Sequence, residues 1–380
     1  MRLGRIALLL GFTLLSASPG YAQDPTFEWV ANTGAPTTFS GGYGIAHDDV
    51  GNVYVTGRFT GTIDADPGAG VTNLTSAGAQ DTYIIKVDAA GNLVWAKRVG
   101  GPNDVYSFDV AVDEAGNVYV TGAFSGTADF DPGPGTFNLS SIGLFFDEIF
   151  VLKLDVNGDL VWARKMGSSD FDFGRSIAVS AAGNVFTTGS FRGTVDFDPG
   201  PGTSLLTSTS GGNDIFISKL NSSGNFVWAK QMGGSGNDIG YAITLDAAEN
   251  VYTTGSFSTT ADFDPGTSNF DITVAGSNDI FVSKLDGAGN FVWAKGMGGT
   301  SSDIGHSIQV DPAGNVYTSG EFHNTVDFDP GSGTINLVSV GFNDAFISKL
   351  DANGNYVWAK GMGGTSDEES SGLTLDEYGN

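Results

Sequence analysis

An all-β fold built from repeated four-stranded units is predicted by three features of this 380-residue sequence. Glycine is abundant, at 57 residues, which favours tight turns and weakens helices. The chain is 40% hydrophobic and 12% aromatic, enough to bury a core rather than stay disordered. Two markers also recur in step, about 65 to 67 residues apart. One is a tryptophan at Trp29, Trp95, Trp162, Trp228, Trp293 and Trp358; the other is Asp-Pro-Gly around Pro67, Pro132, Pro199, Pro265 and Pro330. A fixed period of this size marks a repeat architecture.

The first residues read as a processing signal. Arg2 and Arg5 precede an apolar run from Ile6 to Leu15 and a small-residue stretch ending at Ala22. This is the pattern of a secretory signal peptide over residues 1–22, leaving a repeat domain at residues 23–380. The run is too short to span a bilayer, which takes about 20 residues. A secreted or cell-surface location and no membrane insertion are expected. There is no cysteine, so stability rests on packing, without disulfides or a lipid anchor on Cys. The formal charge of −26, from 43 acidic and 17 basic residues, argues against nucleic acid as a partner.

Each repeat reads as four strands. In the fourth they are strand a at Tyr241 to Asp246, b at Val251 to Phe257, c at Ile280 to Leu285 and d at Phe291 to Lys295. These runs are rich in β-branched and aromatic residues, and several lack alternation, implying burial on both faces. The a–b and c–d connections carry Asp-x-x-Gly-Asn, as at Asp311 to Asn315 and Asp286 to Asn290. Asp at the first position bonds local backbone and Gly at the fourth accepts a positive φ. Ser180 and Glu249 break this pattern, and a Glu at the fourth position is expected to be strained. Five complete repeats and a partial sixth follow. Trp29 belongs to a lone strand d, and Gly372 to Asp376 reads as a strand a. The sequence stops inside a hairpin, as a fragment of a longer reading frame would. Four-stranded antiparallel blades of this kind stack as a β-propeller, whose closure by the N-terminal strand removes exposed sheet edges.

The run D-x-F-[VI]-x-K-L-D-x-x-G-N-x-V-W-A-K, followed by G-G and D-x-x-G-N-V-Y-x-T-G-x-F, resembles the SBBP-type β-propeller repeat of secreted bacterial proteins. The resemblance covers residues 25–380 and implies an exported, often surface-associated propeller, without implying a reaction. Strands c and d are also similar to the Trp-containing repeats of quinoprotein dehydrogenases, whose cysteines and catalytic apparatus this chain lacks.

Residues present in every repeat build the blade, whereas a site needs a unique constellation. The tryptophans are therefore read as core. Lys86, Lys153, Lys219, Lys284 and Lys349 in strand c, and Lys97, Arg164, Lys230, Lys295 and Lys360 after the Trp, are read as structural partners of the repeated Asp residues. The Asp-x-Asp-Pro-Gly loops contribute Asp64, Asp66, Asp129, Asp131, Asp196, Asp198, Asp262, Asp264, Asp327 and Asp329. Alternate oxygens in a Gly-containing turn suit calcium, with Asp81, Asp147, Asp214, Asp279 or Asp344 as a third acid. The same residues also suit an Asx-type turn in which Pro fixes φ.

Positions that break the repeat are better candidates for a specific partner. Tyr43, Phe108, Arg175, Tyr241, His306 and Ser371 are equivalent in strand a, the strand that lies innermost in a propeller, and would ring one mouth of its channel. Aromatics with an Arg and a His suit a small polar ligand. Arg58, Ala123, Ser190, Ser256 and Glu321 vary likewise in strand b, and Phe145 and Phe146 make the second repeat's loop bulkier. No nucleophile elbow, phosphate loop or zinc spacing occurs among the three histidines and no cysteines. The expected function is a non-catalytic scaffold that binds an extracellular protein or glycan. A carbohydrate-active hydrolase or lyase and a calcium-stabilised structural module are the alternatives.

Overall fold

The computed structural model describes residues 39–143 and 145–376. The signal peptide and the strand expected around Trp29 lie outside them. Two compact units are present, one of residues up to Phe145 with Val151–Ala163, the other of Phe146–Phe150 with Arg164–Asn380. Among the described residues the structure is all-β apart from one 3-10 turn at Thr209–Gly211, and no helix is long and apolar enough to cross a membrane.

Every repeat contributes its four strands in the expected order. In the first unit Ser40–His47, Val53–Phe59, Asp81–Val87 and Leu93–Val99 form one antiparallel meander. In the second unit the fourth repeat does the same with Ile239–Leu245, Val251–Phe257, Asp279–Leu285 and Phe291–Gly299. Strands b and c are central and buried almost throughout, so the sequence shows runs rather than alternation there. Strand d runs longer than the sequence predicts because its Gly-Gly end pairs with the following blade: Gly233 opposes Asp262, and Gly298 opposes Asp327. Residues 372–376, expected as a sixth strand a, form no strand. Leu373 N–H does bond Ser307 Oγ at 3.1 Å, as Ile243 N–H bonds Ser176 Oγ at 3.3 Å between earlier blades. The segment holds its place, but no described strand offers it a ladder.

The Asp-x-x-Gly-Asn turns fold as their residues require. Asp246 Oδ1 accepts Asn250 N–H at 2.9 Å and its Oδ2 accepts Asn250 Nδ2 and Tyr252 Oη at 2.7 and 3.1 Å. The two departures from this turn prove to be one feature. Glu249 adopts φ 60°, the conformation glycine takes elsewhere. Its carboxylate accepts Asn184 Nδ2 at 2.8 Å and Lys219 Nζ at 2.7 Å. Asn184 belongs to the turn in which Ser180 replaces Asp, and the tyrosine that would bond that Asp is Phe186. Glu249 thus returns across the blade boundary the carboxylate that Ser180 removed. Glu249→Gly is expected to cost about 2 kcal/mol, the worth of charge-assisted bonds net of relieved strain. Ser180→Asp added to it should recover at least half of that loss in urea unfolding, and independent losses would refute the coupling.

The repeated tryptophans join blade to blade. Trp95 Nε1 donates to Val156 O at 3.1 Å, Trp228 to Gly287 O at 3.3 Å and Trp293 to Ala352 O at 3.2 Å, each in the next repeat's c–d turn. Their rings meet strand b edge-on, as with Tyr252 and Trp293 at 6.4 Å. The strand c lysines all lie against rings, and the expected acid partner is present for two of them, Lys219 with Glu249 at 2.7 Å and Lys349 with Asp311 at 3.8 Å. Each Nζ lies 4.6 to 5.0 Å from the centroid of Tyr54, Tyr119, Phe186, Tyr252 or Tyr317. Turn N–H groups already occupy the neighbouring carboxylates, and a ring face accepts a desolvated ammonium. After the Trp, Lys97 does reach Asp159 at 3.2 Å, whereas Arg164 Nε donates to the Gly224 carbonyl at 2.8 Å.

Candidate functional site

Five of the six varied residues of strand a sit on the same irregularity, and the sixth, Ser371, lies in a segment that forms no strand. The a–b register shifts between Gly42 and Gly44, Ser107 and Asp109, Gly174 and Ser176, Gly240 and Ala242, and Gly305 and Ser307. The residues that the register skips are Tyr43, Phe108, Arg175, Tyr241 and His306. A bulge frees a side chain from the alternation of its strand and re-aims it. The bulge also explains the repeated Gly of strand b: a Cβ on Gly255 would lie inside contact of the Ile239 carbonyl oxygen.

The bulge residues cluster within each unit. In the first, Tyr43 meets Phe108 edge-on at 6.2 Å. The Arg58 guanidinium lies 5.0 to 5.4 Å from the ring centroids of Phe39, Tyr43 and Tyr106, and its Nε donates to Tyr43 Oη at 2.9 Å. Tyr43 and Phe39 are about half exposed, at 45% and 51%. In the second unit the Arg175 guanidinium lies 5.2 Å from the Tyr241 ring, which meets His306 edge-on at 5.4 Å. Glu321 is brought in beside His306. Strand b's other varied residues in this unit, Ser190 and Ser256, pair with Phe173 and Ile239, each two positions before a bulge residue. Phe145 is 82% exposed, whereas Phe146 packs on Phe171 at 5.3 Å.

The Asp-x-Asp-Pro-Gly loops are arranged differently. Four of the five connect two three-residue strands, such as Thr260–Asp262 and Asp271–Thr273, too short for the sequence pattern to announce, and the fifth joins Val316–Asp327 to Asn336–Leu350. Asp262 Oδ1 accepts Asp264 N–H at 3.0 Å and Phe270 N–H at 2.8 Å, while Asp264 Oδ1 accepts Gly266 N–H at 2.8 Å. The same bonds recur for Asp64 with Asp66, Asp129 with Asp131, Asp196 with Asp198 and Asp327 with Asp329. One oxygen of each carboxylate is thus committed to closing the turn. The acids suggested as third ligands lie at the start of strand c; in the second repeat Glu148, not Asp147, holds that place. They bond elsewhere: Asp81 to Arg98, Glu148 to Lys165 at 2.8 Å, and Asp214 to Gln231 at 2.6 Å. The N–H bonds within the loops are those expected of an Asx-type turn.

A set of buried acids escaped the sequence reading. Asp172, Asp238 and Asp303 precede strand a and are fully buried. Asp238 accepts Gly234 N–H at 2.7 Å and Ser258 N–H at 2.9 Å, and Asp303 accepts Gly299 and His323 N–H, each at 2.9 Å. Burial, with the charge of Asp279 and Glu321 added, pushes Asp303 up to about 7; burial takes Asp172 to about 7 and Asp214, Asp238 and Asp279 to about 6. The sequence signal was available as an Asp three residues before Arg175, Tyr241 and His306.

Sequence comparisons with known proteins agree with this architecture. The SBBP β-propeller repeat model matches residues 28–61, 94–123 and 227–264. An uncharacterised WD repeat-containing protein of Acanthamoeba polyphaga mimivirus is 24% identical over 97% of this chain. The regulatory protein FlaEY of Caulobacter vibrioides is 26% identical over 28% of it. This chain spans 32% and 11% of the lengths of those two proteins. A protein of unknown function from Bacteroides caccae superposes over 73% of this chain and 89% of its own, with a TM-score of 0.27 and 10% identity. Three segments of this chain thus match the SBBP β-propeller repeat, and its four-stranded antiparallel sheets are consistent with the blades of such a repeat.

Proposed function

We propose that this chain is an exported binding module without chemistry of its own, whose partner is an extracellular protein or glycan read by the side chains at the bulges. The observation that carries the reading is the confinement of variation. The blade body keeps its pattern, with Val-[Tyr/Phe]-x-[Thr/Ser]-Gly-x-Phe in all five b strands, while the bulge position changes from Tyr to Phe, Arg, Tyr and His. Stacked aromatics with interleaved guanidinium groups offer flat apolar faces rimmed by donors, a surface that suits sugar rings or exposed peptide. The carboxylate pairs recur in all five repeats instead of marking one of them, a pattern that suits blade building better than the acid and base of a hydrolase.

The test is an array of extracellular proteins and soluble glycans probed with the full chain. Tyr43→Ala with Arg58→Ala, and separately Arg175→Ala with Tyr241→Ala, should weaken capture at least about tenfold for the cluster that binds, the loss expected of an aromatic or Arg anchor. Capture unchanged in both variants would place the binding surface elsewhere. Turnover of any glycan that a single Asp substitution abolishes would replace the reading with an enzymatic one.

A further inference from the structure

Three residues of the second unit, each a departure from the repeat, converge on one point. His306 occupies the bulge, where the earlier repeats carry Tyr, Phe, Arg and Tyr. Glu321 occupies the strand b position held elsewhere by Arg58, Ala123, Ser190 and Ser256. Glu369 comes from the segment after the last strand d, in the place that Ile304 and Ile239 hold in earlier repeats. One ligand atom from each lies within 4.8 Å of the others, and among the described residues this is the one such group of three.

The surroundings hold the three in place. Glu368 N–H donates to Asn343 O at 2.8 Å and Ser370 Oγ bonds Ser319 Oγ at 2.9 Å, which seats Glu369 between them against strands b and c. Asn343 Nδ2 donates to Glu321 Oε2 at 3.3 Å, leaving Oε1 turned to the imidazole at 4.0 Å. The His306 Nε2 is buried and has no hydrogen-bond partner. A buried ring nitrogen without a partner is costly unless something completes it.

We propose that His306, Glu321 and Glu369 form a binding site for a divalent transition ion of the zinc type. One imidazole nitrogen and two carboxylates match the donors that such ions accept, and a purely oxygen-seeking ion gains nothing from the imidazole. Donor atoms around a tetrahedral zinc stand roughly 3.3 Å apart, so the three, within 4.8 Å of one another, need close by at most about 1.5 Å. Burial lowers the affinity of His306 for a proton, keeping the ring in the neutral form that ligates. Burial and then the charge of Glu369 raise that of Glu321, a repulsion that a dication removes. Three protein ligands leave a fourth position for water or for a donor group of a binding partner.

The experiment is calorimetric titration of the full chain with zinc, with cobalt(II) absorption as a second readout of nitrogen and oxygen ligation. One equivalent should bind. His306→Gln and Glu369→Gln should each weaken it at least about 100-fold, more than loss of an outer-shell contact would. His47→Gln and His323→Gln should leave it unchanged. Glu369 is exposed and outside any strand, so its variant separates ligand loss from misfolding. No stoichiometric binding, binding that survives both ligand variants, or calcium bound as tightly as zinc would each overturn the site.

Discussion

Acidification from about pH 8 to about pH 5 is expected to raise the thermal midpoint of this chain by several degrees. Asp172 and Asp303 are held up to about 7, and Asp214, Asp238 and Asp279 to about 6, chiefly by burial. Unfolded, each would titrate near 4. Between these values the native state binds more protons than the unfolded one, so stability falls as pH rises. The contribution is fully present below about pH 4 and is lost as pH climbs through 6 to 7. Each tenfold difference in proton affinity between the folded and unfolded chain corresponds to about 1.4 kcal/mol. The turn acids act in the opposite sense. Burial alone would raise Asp48, Asp246 and Asp311, but bonds from Asn52, Asn250 and Asn315 outweigh it and hold them low. Their stabilisation is present above about pH 4 and lost below it. A maximum between about pH 4 and 6 follows. Asp279→Asn should flatten the alkaline limb and stabilise the chain at pH 8, because Asp279 Oδ1 has no hydrogen-bond partner to lose. A profile flat from pH 5 to 8 would contradict the buried, proton-retaining acids.

Phe263→Ala is expected to be the most damaging single substitution, costing about 3 to 5 kcal/mol. Phe263 is the second residue of Asp-Phe-Asp-Pro-Gly and is fully buried. It stands edge-on to Phe257 at 5.3 Å and tilted against Phe281 at 5.1 Å, in a cluster with Ile215, Met232 and Ile243. The equivalent residues Phe130, Phe197 and Phe328 are buried in the same way. The loop's most consequential residue is therefore its apolar one. The acids on either side shape the turn that lets the ring reach the core, and Asp264→Asn should change stability by less than about 1 kcal/mol. Denaturant unfolding of the two variants decides the order, and a larger loss from the Asp substitution would show that the loop is held by something other than its phenylalanine.

Much of the fold is legible in the sequence because it is written in periodic residues. Strand b at Val251–Phe257 can be read to the residue, since a positive-φ turn on one side and Asp-Phe-Asp-Pro-Gly on the other punctuate it. The ribbons around that loop are not legible, because three-residue strands carry no period. The bulges are hidden too: Gly-Tyr-Ala and Gly-His-Ser read as ordinary strand, and only the register against the next strand, Gly255 and Thr254 in the fourth repeat, shows the skipped residue. Ser180 and Glu249 look like two separate faults because the contact joining them spans 65 residues. Glu369 is invisible for a related reason, as it reaches His306 from a segment that forms no strand.

The central claim is that repeated residues build the blades and bulge residues bind. It is tested most directly by placing Tyr43→Ser, Phe108→Ser, Arg175→Ser and Tyr241→Ser in one chain and measuring thermal unfolding beside capture on the protein and glycan array. The account predicts a folded chain whose midpoint falls by several degrees, from lost aromatic contacts, and whose capture is abolished. A chain that keeps its full capture, or one that no longer folds, would contradict it.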